Sequence, residues 1–255
     1  MIDLVTTAMH NAGPSIVKGL QQKGWALHDN FLGKAVCSLL REEAVGFFQA
    51  GDFKISQSTR WDAQSNREVF YDKHNVFSMQ LAGGDDYYRG PRLHEYVLAI
   101  VKSAVPILSE AFPEADLNDV LASNKLAVCT GAGSAYDKHY DNSGLTDTRK
   151  ATILYYMNDW RPELGGEFRV YHPASVQPAP AGTPHPGATY TDIAPQADRL
   201  LVFWSDRLVH SVQPSEAPRG AVDHRYALTV WLTCNSPASI VTDDAEIRRH
   251  FGNAA

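Results

Sequence analysis

KLAVCT at residues 125–130 opens a run of eight short segments that are rich in β-branched and aromatic residues. The other seven are SAYDKHYD (134–141), ATILYYMND (151–159), GEFRVYH (166–172), ATYTDI (188–193), RLLVFW (199–204), LVHSVQ (208–213) and HRYALTVWLTC (224–234). Glycine, proline, asparagine or aspartate separates one segment from the next. Many short strands divided by turn residues are typical of a β-sandwich or β-barrel. We therefore predict a mainly β fold whose core spans residues 125–235.

Residues 1–124 have a different pattern and are predicted to support this core. Apolar residues between Gly33 and Ala50 recur at three- and four-residue spacing, which predicts an amphipathic helix. A second helix is predicted from Pro91 to Phe112, with Pro106 expected to kink or divide it. The strands predicted in this region are FKISQS (53–58) and NVFSMQ (75–80), separated by a polar loop at 62–67.

Two further segments complete the predicted organisation. The stretch 173–187 contains several prolines with alanine, glycine and serine, and is expected to be an irregular surface loop. Residues 236–255 form a C-terminal tail, in which 243–251 is predicted to be a short helix. The support region, the core and the tail are expected to make one structural domain.

The composition narrows the class of protein. The chain has 255 residues and a formal net charge of −6, which disfavours a nucleic-acid-binding protein because such proteins carry excess lysine and arginine. Its three cysteines have no metal-binding spacing, so we expect a reducing compartment and no disulfides. No secretory signal and no apolar run of about 20 residues is visible, so no membrane association is expected. These features together predict a cytoplasmic protein.

The sequence His139-Tyr140-Asp141 is the first candidate for chemistry. Side chains alternate faces along a strand, so His139 and Asp141 are expected to point the same way and to offer two neighbouring metal ligands. The alternative is an exposed, polar end of a strand. A three-residue pattern of this kind occurs often by chance and does not decide between them.

His210 is the second candidate, within the apolar segment LVHSV (208–212). An isolated histidine in such a segment is usually a hydrogen-bonded core residue. Two histidines and one carboxylate, however, occupy one face of an iron ion and leave positions open for substrates. Strands of a barrel that are distant in sequence can bring these three ligands together.

Arg225 is the third candidate. It shares one face of a predicted strand with Thr229 and Trp231, whereas Leu228 and Val230 lie on the other. A guanidinium on the same face as a large aromatic residue is consistent with a cavity that contains an anion. An internal salt bridge, for example to Asp198 or Asp206, is the alternative.

Six motifs in fixed order make the chain resemble a known family. They are YDKHYDN (136–142), ILYYMN (153–158), GGE (165–167), DRLLVFWSD (198–206), HSVQP (210–214) and RYALTVW (225–231). In these motifs the chain is similar to the Fe(II)/2-oxoglutarate-dependent dioxygenases, and among these dioxygenases it is similar to the prolyl 4-hydroxylase branch. The cytoplasmic prolyl hydroxylases of the hypoxia-inducible factor type are the most similar group. The resemblance covers about residues 127–231 and implies a double-stranded β-helix, or jelly-roll, core.

The resemblance also implies roles for individual residues. His139, Asp141 and His210 would bind Fe(II), and 2-oxoglutarate would be the cosubstrate, with ascorbate as an optional accessory. The residues implied in binding the cosubstrate are Arg225, on its distal carboxylate, then Tyr156, Tyr136, Thr229 and Trp231. Arg149 and Trp231 would contact the substrate at the mouth of the pocket. An arginine suits the distal carboxylate because its planar fork binds a carboxylate through two hydrogen bonds.

The resemblance also indicates which reaction the site carries out. The chain departs from the family at three places around the site. Oxygenases that halogenate typically have a small residue where this chain has Asp141, so the carboxylate favours hydroxylation. The closest members have a tyrosine near the cosubstrate where this chain is expected to place Thr130. The segments 216–221 and 173–187 are longer than in those members. Both lie between predicted strands, so they are expected to alter substrate recognition and leave the iron site intact.

The leading functional hypothesis is hydroxylation of a prolyl residue in a protein or peptide, consuming O2 and 2-oxoglutarate and releasing succinate and CO2. A second hypothesis keeps the chemistry but applies it to a free amino acid, another side chain or a small molecule. A third is a non-catalytic binding module on the same fold. The complete set of ligands together with Arg225 argues against the third.

Overall fold

The computed structural model describes residues 1–62, 67–142, 146–172 and 190–241. Its helices are α1 (Ile2–Lys23), α2 (Lys34–Gln49), α3 (Asp85–Arg89) and α4 (Pro91–Ala111). Its strands are β1 (Trp25–Asp29), β2 (Lys54–Asp62), β3 (Arg67–Met79), β4 (Leu117–Cys129), β5 (Ser134–His139), β6 (Arg149–Tyr156), β7 (Phe168–Tyr171), β8 (Tyr190–Ile193), β9 (Arg199–Trp204), β10 (His210–Ser215) and β11 (Arg225–Cys234).

The strands form two antiparallel sheets. The large sheet has the order β1-β9-β6-β11-β4-β3-β2, and the small sheet has the order β5-β10-β7-β8. The eight strands β4 to β11 are therefore divided equally, with four in the large sheet and four in the small sheet. This arrangement is the double-stranded β-helix, so the predicted fold class of the core is confirmed. The large sheet extends beyond the predicted core, since β4 begins at Leu117 and β1, β2 and β3 flank the core strands.

Strand β11 lies in the middle of the large sheet, between β4 and β6. Its side chains alternate between two environments. Leu228, Val230 and Leu232 are fully buried in the core shared with the helices. The residues that point between the two sheets are Arg225, Ala227, Thr229 and Trp231. A strand buried on both faces in this way has one face for packing and one for a site.

The helices cover the outer face of the large sheet. In α1 the residues Val5, Met9, Ala12, Ile16 and Leu20 recur at three- and four-residue spacing and are buried. They belong to the same apolar core as the outward-facing residues of β11. Burial of each large apolar side chain contributes about 1.5–3 kcal/mol. The helices thus hold the large sheet rigid behind the cavity.

The predicted helices are present, with one correction. Helix α2 matches the helix predicted between Gly33 and Ala50. Helix α4 runs without a break through Pro106, so the expected division of this helix is wrong. The missing N–H of a proline removes one helical hydrogen bond, but the neighbouring residues Val105 and Leu108 are buried in the core and keep the helix continuous.

Several predicted segments lie outside the described residues. These are the whole proline-rich loop 173–187, the helix at 243–251 and the centre of the polar loop 62–67. The segment 216–221 is described and forms an exposed connection between β10 and β11. Among the described helices, none combines the length and the apolar character that a membrane crossing requires.

Candidate active site

Two histidines face each other at the ends of neighbouring strands. His139 is the last residue of β5 and His210 the first residue of β10, and the two are directly paired in the antiparallel ladder. Their ring centroids lie 4.3 Å apart. On the other side of β10, His210 is paired with Val170 of β7, which fixes its position from both edges. The pairing of β5 with β10 therefore brings together residues that are 71 positions apart in sequence.

Asp141 completes the group, but not in the predicted way. Strand β5 ends at His139, so Asp141 lies in the bend that follows and the strand alternation expected for it is wrong. Its Oδ1 atom is nevertheless 3.6 Å from Nε2 of His139 and 3.7 Å from Nε2 of His210. One ligand atom from each residue lies within 4.8 Å of the others. Two imidazole nitrogens and one carboxylate oxygen that converge in this way can occupy one face of an iron ion, and they are the donor set of a facial iron site.

Hydrogen bonds orient all three side chains. Nδ1 of His139 lies 2.7 Å from the carbonyl oxygen of Asp137, and Nδ1 of His210 lies 3.0 Å from that of Leu208. Since a carbonyl can only accept, each Nδ1 carries the proton and each Nε2 has a free lone pair facing Asp141.

The second oxygen of Asp141 is held by two donors. Its Oδ2 accepts a hydrogen bond from Oγ1 of Thr152 at 2.6 Å and from Nε1 of Trp231 at 3.1 Å. These bonds leave Oδ1 as the oxygen that faces the two histidines. Thr152, on β6, is a residue that the sequence analysis missed, because a threonine in an apolar strand carries no distinguishing signal.

The electrostatics keep the group ready to bind a cation. Burial and, to a lesser extent, repulsion from His139 lower the pKa of His210 to about 4, so the imidazole is neutral at physiological pH. The rings of Phe168 and Phe203 lie 4.7 and 4.9 Å from that of His210 and account for its burial. Burial raises the pKa of Asp141, but its interactions with His139 and His210 and the hydrogen bond from Thr152 outweigh the burial and bring the pKa well below its usual range.

A cavity of about 460 Å³ opens over this group between the two sheets. Its size falls in the range of small-molecule sites, which is about 300–1,000 Å³. Eight of the nine predicted site residues line it: His139, Asp141, His210, Arg225, Tyr136, Thr229, Trp231 and Arg149. The structure thus brings together most of the residues that the sequence singled out.

Arg225 lies in the wall of this cavity without a carboxylate partner. Within the described part of the chain no acidic side chain lies within 4 Å of its guanidinium, and its Nε donates to the carbonyl oxygen of Gly166 at 3.0 Å. The alternative of an internal salt bridge is wrong. Asp198 instead accepts from the backbone N–H groups of Leu32 and Gly33, and Asp206 pairs with Lys150 at 2.7 Å.

Tyr156 is the predicted site residue that does not line the cavity. Its ring lies behind Arg225, with the guanidinium carbon 5.1 Å from the ring centroid. Its buried hydroxyl has no hydrogen-bond partner in the described residues. Burial raises the pKa of Tyr156 to about 12 although the charge of Arg225 opposes this, so the hydroxyl stays protonated and can donate.

Thr130 also lies away from the cavity. Its Oγ1 donates to the carbonyl oxygen of Asn75 at 3.3 Å. The residue opposite Arg225 in the ladder is Cys129, one position earlier, and this cysteine is buried. Strand β4 ends at Cys129, and Thr130 follows it outside the cavity wall, so the contact expected of a tyrosine at this position is altered, as predicted.

Two lysines in the cavity wall were missed by the sequence analysis. Lys73, on β3, and Lys125, on β4, both line the cavity. Lys125 shares the inward face of β4 with Ala127, a signal that strand alternation could have supplied. Lys73 lies in the long strand before the predicted segment NVFSMQ, where no pattern marked it.

The described geometry is matched by a known family. Residues 125–233 match the model of the 2OG-Fe(II) oxygenase superfamily. The matched residues include the facing histidines, Asp141 and Arg225. The match begins eight residues after the start of β4 and ends one residue before the end of β11, so it covers the double-stranded β-helix.

The sequence similarity to individual relatives extends beyond residues 125–233. The hypoxia-inducible factor prolyl hydroxylase of Caenorhabditis elegans is 29% identical over 221 residues, which is 85% of this chain and 27% of the relative. Egl nine homolog 1 of Homo sapiens is 29% identical over 227 residues, which is 85% of this chain and 45% of the relative. The chain therefore spans less than half the length of these two relatives.

Solved structures show the same fold. A prolyl hydroxylase from Trichoplax adhaerens, solved in complex with a peptide fragment of the hypoxia-inducible factor oxygen degradation domain, matches with a TM-score of 0.70 and 24% identity. The match covers 93% of this chain and 96% of that one. The helices that cover the large sheet thus belong to the shared architecture.

Proposed function

Since residues 125–233 carry a domain of the 2OG-Fe(II) oxygenase superfamily, we propose that this protein is a dioxygenase that hydroxylates a prolyl residue in a protein or peptide. One observation carries the proposal. A metal-ligand set of two histidines and Asp141 shares a single cavity with Arg225, a buried cation that lacks a carboxylate partner in the described residues. The names of the relatives support the choice of proline as the target.

Fe(II) suits the donor set and would be held by His139, Asp141 and His210. Bound together with 2-oxoglutarate, Fe(II) would activate O2, so that one oxygen atom enters the C–H bond and the other enters succinate with release of CO2. The protein prepares this site by fixing each histidine through its Nδ1 proton and by holding Oδ2 of Asp141. Such outer hydrogen bonds typically account for a 10–100-fold difference in metal affinity.

Arg225 would bind the distal carboxylate of 2-oxoglutarate. A buried guanidinium without an anion is costly, and a carboxylate in the cavity would compensate its charge. We assign the protonated hydroxyl of Tyr156 to the same carboxylate, reached by a small movement of the ring or of Arg225. Tyr136, Thr229 and Trp231 would line the space between this carboxylate and the metal. Ascorbate is retained as an optional accessory reductant.

The substrate would enter at the open end of the cavity. Phe70, which is 76% exposed, lies at that end together with Arg149 and Trp231. Asp147 holds Arg149 through its guanidinium, whose carbon lies 5.4 Å from the centroid of the Trp231 ring. A fixed cation over an aromatic ring suits a polypeptide, because backbone carbonyls can accept from the first while a proline ring packs on the second.

We also propose a cytoplasmic location. Cys37, Cys129 and Cys234 are all buried free thiols, as expected of a protein in a reducing compartment. The partners would be the proline-containing substrate and O2.

The test is a hydroxylation assay with the wild type and two variants, Asp141→Ala and His210→Ala. Candidate peptides are incubated with Fe(II), 2-oxoglutarate and O2, and examined by mass spectrometry while succinate is measured in parallel. We expect a gain of one oxygen on proline in the wild type, with loss of activity and of bound metal in both variants. His10→Ala, on the exposed face of α1, should retain both.

Three results would change the proposal. Succinate formation with oxidation of a different side chain or of a free amino acid would keep the chemistry and replace the target. Absence of any Fe(II)-dependent succinate formation would favour a binding module. Full activity in His210→Ala would contradict the ligand set.

A further inference from the structure

A pair of lysines adds positive charge to the wall of the cavity. The ammonium nitrogens of Lys73 and Lys125 lie 4.2 and 5.6 Å from the centroid of the same ring, that of Tyr136. That ring in turn stacks on His139, with 6.4 Å between the centroids. The two ammonium groups are therefore at most 9.8 Å apart, and Lys73 is subject to the charge of Lys125.

Neither lysine has an anionic partner within reach. In the parts of the chain that the structure describes, no carboxylate lies within 4 Å of either nitrogen, and Lys125 donates to the neutral hydroxyl of Ser56 at 3.0 Å. Burial and, to a lesser extent, the charge of Lys125 lower the pKa of Lys73 to about 8, although Asp141 and Asp137 oppose this from a distance. Two partly buried cations that repel each other are unfavourable unless an anion joins them.

The remaining charges of the cavity do not supply that anion. Among the described residues of the cavity wall, Asp141 is the one carboxylate, and its Oδ1 faces the two histidines. Arg149, the other cation near the mouth, is already paired with Asp147. A divalent metal bound by Asp141 would neutralise the negative charge of this carboxylate, so that even less negative charge would remain to compensate the two ammonium groups.

Lys125 lies at a different level of the sheet from the proposed 2-oxoglutarate anchor. In the ladder between β4 and β11, Cys129 is opposite Arg225 and Lys125 is opposite Thr229. Lys125 is thus four residues along the strand from the level of Arg225, or about 13 Å at roughly 3.3 Å per residue. A single five-carbon diacid whose distal end is on Arg225 and whose other end is at the metal would therefore not also reach Lys125.

We infer that Lys73 and Lys125 form a second anion site in the cavity, which binds a carboxylate of the substrate itself. Two sources of that carboxylate fit: an acidic side chain near the target proline of a peptide, or the carboxylate of a free amino acid. The inference rests on the proposed function, because that function says which group of the substrate is oxidised. The binding of the carboxylate can nevertheless be measured without any oxidation.

The first experiment therefore measures binding alone. The full chain is loaded with Mn(II) and N-oxalylglycine, a 2-oxoglutarate analogue, so that no turnover occurs. The probes are a series of peptides with one proline and a glutamate moved position by position along the chain, each with a glutamine counterpart. L-Proline and L-prolinamide form the matched pair for a free amino acid.

We expect the wild type to bind at least one carboxylate probe about tenfold more tightly than its amide counterpart. This preference should disappear in the double variant Lys73→Met/Lys125→Met and persist in Lys54→Met, whose lysine is exposed on β2. The affinity for 2-oxoglutarate should be the same in all three proteins. Which pair of probes shows the preference identifies the source of the carboxylate.

Three outcomes would overturn the inference. They are equal binding of all carboxylate and amide probes by the wild type, a preference that survives in the double variant, and a loss of 2-oxoglutarate affinity in the double variant comparable with Arg225→Ala. The wild-type comparison needs no variant to fold. Hydroxylation of a proline peptide without any charge preference would remove the inference and keep the proposed function, whereas a charge preference without proline oxidation would do the opposite.

Discussion

Arg225 is the residue on which the cosubstrate assignment depends most. It is only 7% exposed, it points between the sheets, and its nearest hydrogen-bond acceptor is the neutral carbonyl of Gly166. Guanidinium groups are seldom buried without an anion, because desolvation of the charge is then uncompensated. The cavity supplies the space in which a carboxylate can bind to it.

Arg225→Ala should raise the concentration of 2-oxoglutarate that the protein requires. Removal of one partner of a buried ion pair costs about 3–5 kcal/mol, which corresponds to a loss of affinity of roughly a hundredfold or more. The dissociation constant of 2-oxoglutarate, measured with the metal-loaded protein, tests this. Arg92→Ala removes an exposed arginine and should leave the constant unchanged. An unchanged constant in Arg225→Ala would point to a different anchor.

Lys73 should make stability depend on pH in the alkaline range. Its pKa is about 8 in the folded protein, chiefly because burial disfavours the charged form, and 10.5 is the reference for the unfolded chain. Between these values the unfolded state binds more protons, so the free energy of unfolding should rise as the pH increases from 8 to 10.5.

Lys73 is only partly buried, so the gain should be about 1–3 kcal/mol. Urea unfolding at pH 8 and pH 10.5 measures it, and the wild type is compared with Lys73→Met to remove the contribution of other groups. The rise should be smaller in the variant. An equal rise in both proteins would show that Lys73 has an ordinary pKa.

Individual residues of the site were predictable where a motif or strand alternation marked them. Arg225, Thr229 and Trp231 lie on one face of β11 as expected, because a regular strand obeys its alternation. Asp141 instead reaches the site through a bend after β5, and no local sequence pattern predicts this bend. Thr152 and the two lysines were missed because their function depends on neighbours that are distant in sequence.

At the level of elements, the turn before β7 controls the position of Arg225. Gly166 has a φ of 74°, and a Cβ atom added to it would lie 3.0 Å from Cδ of Arg225 and 3.0 Å from Cβ of Ser215. The same residue accepts the hydrogen bond from Nε of Arg225. The turn therefore requires glycine for its backbone conformation and for the close approach of the arginine.

Gly166→Ala should weaken 2-oxoglutarate binding by about tenfold while metal binding is retained, because Arg225 must shift but the ligands need not. Gly220→Ala is a matched control, since Gly220 has a φ of 63° and open space around its Cα. Both variants carry the backbone penalty and only the first crowds the arginine. Titrations of 2-oxoglutarate and of Mn(II) separate the two effects, and equal behaviour of the variants would contradict this account.

The elements themselves were predicted unevenly. The short strands of the core and helices α2 and α4 follow from periodicity and turn residues. Helix α1 was not predicted, although its apolar residues have helical spacing, because Gly13 and Pro14 interrupt the segment and lower its helix propensity. The pairing of β5 with β10 could not be predicted from local sequence, since it depends on the closure of the whole β-helix.

On the scale of the whole molecule, a buried ion pair joins distant parts of the chain. Lys150 at the start of β6 pairs with Asp206 after β9, and their side chains are 0% and 1% exposed. Asp206 also accepts from the backbone N–H of Val241 at 2.7 Å, and the carbonyl oxygen of Ser239 accepts from Lys150. The pair thus fixes the segment after β11 to the body of the protein.

Lys150→Met should destabilise the protein by about 3–5 kcal/mol, because it leaves the charge of Asp206 buried with only the exposed Arg207, 3.8 Å from its Oδ1, as a cationic neighbour. Addition of Asp206→Asn should recover part of this loss, since an amide oxygen can still accept from Val241. Urea unfolding of the two variants and of Lys102→Met, an exposed lysine on α4, measures the effect. A cost as small as that of Lys102→Met would mean that the pair contributes nothing.

Strand β11 has a consequence for how proteins of this architecture can diverge. Its outward residues build the packing core and its inward residues carry the chemistry, so insertion or deletion of a single residue within it would exchange the two sets. A new specificity can then arise in two ways. Inward residues can be replaced one at a time, as at the lysine of β4 that faces Thr229, or length can change in a connection such as 216–221. Evolution of this site is thus confined to substitutions inside the barrel and to length variation at its rim.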